Sequence, residues 1–105
     1  MTNLEIDRRL ALAIGYPPED LMEARSSLLI RHDGWWQRFN HQHCRTIYPI
    51  AEHFKMMPVW SILRREWQVA IPDPRVALAQ YQMHTDPRTC IALAVIEAAD
   101  RGLLK

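Results

Sequence analysis

An Asp-Gly pair, Asp33-Gly34, stands between two runs of alternating character, Leu28-Leu29-Ile30-Arg31-His32 before it and Trp35-Trp36-Gln37-Arg38-Phe39 after it. Two-residue hairpin loops need positive φ at their central positions, a state that glycine adopts freely and aspartate tolerates. If the pair is the turn, the register follows by counting. His32 faces Trp35, Arg31 faces Trp36, Ile30 faces Gln37, Leu29 faces Arg38 and Leu28 faces Phe39. Side chains alternate sides along a strand. One side then carries Leu28, Ile30, His32, Trp35, Gln37 and Phe39 and reads as core. The other carries Leu29, Arg31, Trp36 and Arg38 and reads as an amphipathic surface, with one Trp between two guanidinium groups. Trp35 is expected in the core and Trp36 on the surface.

The flanking sequence supplies helices and further strands. Residues 3 to 14 read as a helix, with Thr2 and Glu5 at capping-box spacing and Gly15 suited to its left-handed end. Ile6, Leu10, Ala13 and Ile14 share one stripe, while Glu5, Asp7, Arg8 and Arg9 fall mostly off it. Residues 19 to 26 read as a loop or a short helix. Arg45 to Lys55 has helical spacing of Ile47, Ile50, Ala51 and Phe54. Because proline breaks a helix interior, that helix is expected to begin near Tyr48, with Pro49 in its first turn. Val59 to Ile71 reads as a second hairpin. A loop centred on Arg64-Arg65 would set Ile62 opposite Trp67 and Trp60 opposite Val69, all four on a buried face. Thr85 to Arg101 reads as the last helix, capped by Thr85, with Pro87 in its first turn and Gly102 at its end. Its broad apolar band around Ile91 and Val95 calls for burial against a sheet, and the sheet of the Asp33-Gly34 hairpin is the expected partner. Glu97 and Arg101 can pair across one turn.

The composition sets limits. A chain of 105 residues is one domain, residues 1–105, large enough for its own core. A hydrophobic fraction of 49% and four Trp argue against disorder. A net charge of +1 gives no strong field toward nucleic acid or an acidic membrane. No apolar run approaches the roughly 20 residues of a membrane helix. No secretory leader is read, so Cys44 and Cys90 are expected as reduced thiols in the cytoplasm.

Asp7-Arg8-Arg9-Leu10-Ala11-Leu12-Ala13-Ile14-Gly15-Tyr16 resembles the opening of small proteins of tailed phages and prophages. So do Trp36-Gln37-Arg38-Phe39, Pro49-Ile50-Ala51-Glu52-His53-Phe54, and Thr85-Asp86-Pro87 running into Ile91-Ala92-Leu93-Ala94-Val95-Ile96. Together these are similar to the phage ABA-sandwich domain family. The resemblance implies a phage or prophage origin and a helix–sheet–helix arrangement, with no general chemistry attached. It also implies a strand over 76–84, where propensity alone leans toward helix. The expected fold is a single α+β domain, a mixed or antiparallel sheet of about four to five strands covered by helices.

Chemistry-bearing residues are sparse. His41, His43 and Cys44 form an H-x-H-C cluster, with His53 further on. Zinc sites show paired spacings such as C-x2-C or H-x3–5-H, and that pairing is missing, so no metal is expected. No nucleophile elbow, P-loop or dinucleotide glycine pattern occurs, so neither a catalytic residue nor a cofactor is expected. A thiol- or metal-dependent enzyme built on Cys44 and its histidines is the third alternative. Arg8-Arg9, Arg31, Arg38 and Arg64-Arg65, interleaved with Trp, would suit single-stranded nucleic acid, but twelve acidic residues dilute the field. That is the second. The first is non-catalytic protein binding through Trp36, Arg31 and Arg38. With the phage resemblance, it points to a host protein or complex in the host cytoplasm, anti-CRISPR inhibition of a defence complex included.

Overall fold

The computed structural model describes residues 1–104. The described residues are α+β, with three α-helices and six strands. The strands form two separate three-stranded antiparallel sheets rather than one sheet of about four to five.

The first sheet runs β1 (Leu21–Ala24), β2 (Ser27–His32), β3 (Trp35–Phe39). The β2–β3 register is the one counted from the turn, from His32 opposite Trp35 to Leu28 opposite Phe39. Asp33 and Gly34 have φ of 51° and 82°, the two positive values a type I′ turn demands. β1 lies where a loop or short helix was expected. It pairs with β2 through a tight turn in which Arg25 takes φ 59°, a position that glycine usually fills. Without a glycine or asparagine there, nothing in the sequence announces the turn.

The second sheet runs β4 (Val59–Ser61), β5 (Glu66–Ile71), β6 (Gln80–His84). Here the register departs from expectation by two residues, so that Trp60 pairs with Trp67 rather than with Val69. The loop takes in Ile62 to Arg65 and closes with the Arg65 N–H donating to the Ser61 carbonyl at 2.8 Å, Arg65 standing at φ 52°. A slip of two preserves which side each residue faces. Its effect is to leave Ile62 outside the ladder, at 82% exposure. Trp60 is exposed as well, its ring edge-on to Trp67 at 5.4 Å, and only Trp67 packs against the core. The strand expected over 76–84 is confined to β6.

The helices form where periodicity placed them, with different ends. α1 (Asn3–Ala13) is capped as read, the Thr2 hydroxyl accepting from the Glu5 N–H at 3.2 Å. α2 (Cys44–Phe54) starts four residues before Tyr48 and holds Pro49 in its interior. Proline cannot donate to the carbonyl four residues back, that of Arg45, and both residues are exposed, where water can satisfy that oxygen. α3 (Pro87–Asp100) is capped by Asp86, which accepts from the Arg88 N–H at 2.9 Å, not by Thr85. Arg101 and Glu97 do pair, at 3.0 Å.

α3 is the centre of the core. Cys90, Ile91, Ala92, Ala94, Val95 and Ala98 are all at 0% exposure. It packs on β5 and β6 on one side and on α1 and α2 on another, while α1 meets β2. The α3 partner is therefore the second sheet, not the sheet of the Asp33-Gly34 hairpin. A helix apolar nearly all round is a buried helix, and such a band does not specify which sheet it meets. Among the described residues no helix is long and apolar enough to cross a membrane.

Candidate functional site

Burial along the first hairpin stops abruptly. Leu28, Ile30 and Phe39 are in the core, whereas every residue from Arg31 to Arg38 is exposed. The end of the hairpin is a two-stranded ribbon that extends past the core. Trp35, expected inside, is 75% exposed. Alternation places it correctly on the side of Leu28 and Ile30, but among the described residues no element continues far enough to cover it.

The three residues read as a contact surface share the other side of the ribbon. Trp36 is 41% exposed, and the Arg31 guanidinium lies over its ring at 5.5 Å from the centroid. Such cation–π contacts are worth about 0.5–1 kcal/mol at exposed sites. Arg31 is itself fixed from behind. Its Nε and Nη2 both donate to Asp20 Oδ1, at 2.9 and 2.6 Å. Asp20 comes from a short 3-10 turn, Pro18–Asp20, that leads into β1. Arg38 donates to the Ser27 hydroxyl at 3.2 Å and, among the described residues, pairs with no carboxylate. Leu29 and Met22, opposite one another on β2 and β1, extend the same side, with Met22 41% exposed. The result is an indole held still by a neutralised cation, beside a second cation with spare donors.

His41, His43 and Cys44 are not brought together. His41 is fully buried, while His43 and Cys44 are exposed at the start of α2. Among the described residues no three of His, Cys, Asp and Glu are grouped to hold a metal. Cys90 is buried in α3, its Sγ donating to the Gln82 carbonyl at 3.1 Å, and burial pushes its thiol up to about 11. The arginines are scattered too. Arg8 sits 3.9 Å from Glu23, and Arg64 and Arg65 are in the loop of the second sheet.

A group that the sequence reading missed is Asp7–His41–Thr89. Asp7 Oδ1 accepts from the His41 backbone N–H at 2.7 Å and lies 2.6 Å from its Nδ1, while Nε2 is 3.3 Å from the Thr89 hydroxyl. The acid–imidazole–hydroxyl order is that of nucleophilic hydrolases. Here the imidazole is at 0% exposure and Asp7 and Thr89 at 5% each, so the hydroxyl has no path to a substrate. The group instead ties α1, the loop after β3 and α3 together. Asp7, read as mostly off the α1 stripe, is buried, because it lies three and four residues before the buried Leu10 and Ala11, a position where a carboxylate requires a partner.

Comparison of the chain with protein-family models, with curated proteins and with solved structures returned no match.

Proposed function

We propose that this chain is a non-catalytic protein-binding domain that grips its partner with the β2–β3 ribbon, through Trp36, Arg31 and Arg38. The observation that carries this reading is the exposed stretch from Arg31 to Arg38, in which Trp36 is ordered by Arg31 instead of being buried. Trp and Arg dominate interface energetics because they offer large area and several donors with little entropy left to lose. An indole already held in place has part of that ordering cost met before the partner arrives. The resemblance to phage ABA-sandwich proteins supports a host protein complex as the partner, in the host cytoplasm, with a defence complex as the first to try. Nucleic acid is less well supported, since Asp20 neutralises Arg31, leaving Arg38 as the ribbon's free cation among the described residues, and Arg8, Arg9, Arg64 and Arg65 lie outside the ribbon.

The test is copurification from host lysate with wild type, Trp36→Ala and Arg38→Ala. A stoichiometric protein retained by wild type and released by both variants, at unchanged thermal midpoint, is the expected result. Trp36→Ala should cost about 2 kcal/mol, roughly 30-fold in Kd. Retention abolished by nuclease would shift the reading to nucleic acid, and equal retention by all three proteins would remove the ribbon from the interaction.

A further inference from the structure

A cleft of about 410 Å3 opens where the ends of α1 and β2 face α2. That is within the roughly 300–1,000 Å3 typical of small-molecule sites. α2 supplies one wall with Ile50, His53 and Phe54, and Ile14, Tyr16 and His32 supply the other. Among the described residues the lining contains no Lys, Arg, Asp or Glu.

The polar groups can be assigned roles. His32 Nε2 lies 3.4 Å from the Asp33 carboxylate without a hydrogen bond between them, and of the two neutral tautomers the one with its proton on Nε2 is the one that nearby negative charge favours. Its Nδ1 is then an acceptor, and the Tyr16 hydroxyl, 3.5 Å away, is the group positioned to donate to it. With its proton so directed, the Tyr16 oxygen presents lone pairs to the cleft. His53 stands edge-on to Phe54 at 4.7 Å, and among the described residues nothing hydrogen-bonds its ring nitrogens. An anion entering here would find, among the described residues, no Lys or Arg in the lining and the Asp33 carboxylate nearby. A cation would find no carboxylate in the lining.

We propose that this cleft binds an uncharged planar aromatic molecule carrying one hydroxyl or N–H, of the phenol or indole class. The ring packs between Ile14, Ile50 and Phe54, and the ligand's O–H or N–H donates to the Tyr16 oxygen. The site is independent of the ribbon reading, because Trp36, Arg31 and Arg38 take no part in the lining.

NMR titration of the whole chain with p-cresol, indole, 4-methylanisole and benzoate tests this, read at the His53 and Phe54 rings. Saturable binding of p-cresol and indole is expected, with 4-methylanisole, which lacks the donor, about fivefold weaker, and benzoate weaker still. Tyr16→Phe keeps the ring and should erase the advantage of p-cresol over 4-methylanisole. Ile50→Trp should fill the cleft and abolish binding of all four. Absence of saturation, equal affinity for p-cresol and 4-methylanisole in wild type, or benzoate binding more tightly would each overturn the proposal. So would full binding by Ile50→Trp. If Ile50→Trp fails to fold, the p-cresol to 4-methylanisole ratio in Tyr16→Phe decides alone.

Discussion

The two central hairpins, β2–β3 and β4–β5, both end in a wet apolar tip, and differ in how they are buried below it and in how they turn. In β2–β3 the base is core on both strands, at Leu28 and Phe39, whereas in the second hairpin β4 is mostly exposed and burial begins on β5 at Val69 and Ile71, which pair with β6 beyond the end of β4. In each, the far end is wet although apolar, with Trp35 at 75% exposure and Ile62 at 82%. The turns differ. β2–β3 reverses over Asp33-Gly34, residues that accept positive φ, whereas β4–β5 closes through an arginine held at φ 52°. The first turn dictates its register, whereas the second register comes with a four-residue loop, Ile62 to Arg65, that no turn residue announces. Alternation of side chains therefore tells which way a residue faces, while depth depends on how far the covering helices extend.

The largest expected effect separates base from tip. Leu28→Ala, at a position with no exposure, should destabilise the fold by about 3 kcal/mol through lost burial and the cavity left behind. Trp35→Ala, on the same side of the same hairpin, should change stability by no more than about 0.5 kcal/mol, as for an ordinary surface site. Urea denaturation of both variants checks the pair. Comparable losses would mean that the ribbon is packed, and the base–tip distinction would fall.

The same distinction marks what was legible in the sequence. Asp33-Gly34 announced both the first hairpin and its register, because few residues accept those φ values. The α1 cap at Thr2 and the apolar band of α3 were readable for similarly local reasons. β1 was not, since Arg25 occupies the positive-φ position of its turn, and the two-residue slip of β4–β5 was hidden by Arg65 in the same way. The choice of sheet for α3 is a long-range matter that a helix buried nearly all round does not encode. At the site, the Arg31–Trp36 contact followed from counting across the turn. Trp35 did not, because its exposure depends on where neighbouring elements end. Asp7–His41–Thr89 joins residues 34 and 48 positions apart, and it was hidden because Asp7 reads as mostly off the α1 stripe.

A second difference between the hairpins is how their bases are anchored. The chain leaving β3 is bound through His41 to Asp7 of α1, whereas the second sheet meets α3 through apolar side chains and the Cys90 thiol. Asp7→Asn keeps the shape of the side chain but removes its charge from two hydrogen bonds. Bonds to a charged group are worth about 1 kcal/mol more than neutral ones, so the expected loss is about 2 kcal/mol. Amide exchange should show that loss at the base of β3 and in α1 before it reaches β5. Equal loosening of both sheets would mean that the His41 tie serves the whole core and does not distinguish them.

The smallest effects should come from the turns themselves, with opposite signs. At Gly34, φ is 82° and an added Cβ would meet nothing within 4 Å. Gly34→Ala therefore adds no clash with neighbours and reports only the backbone cost of a side chain at positive φ, about 1 kcal/mol of destabilisation. At Arg65 that cost is already present in the native protein. Arg65→Gly relieves it, while the added freedom of glycine in the unfolded chain takes some of the gain back, leaving a net stabilisation of about 0.5 kcal/mol. Thermal midpoints of the two variants should move in opposite directions, with the paired-strand amide signals retained in both. If Arg65→Gly lowered the midpoint instead, Arg65 would be contributing through its side chain. The β4–β5 loop would then be held by a specific contact of that side chain, and the two-residue slip would have its cause there.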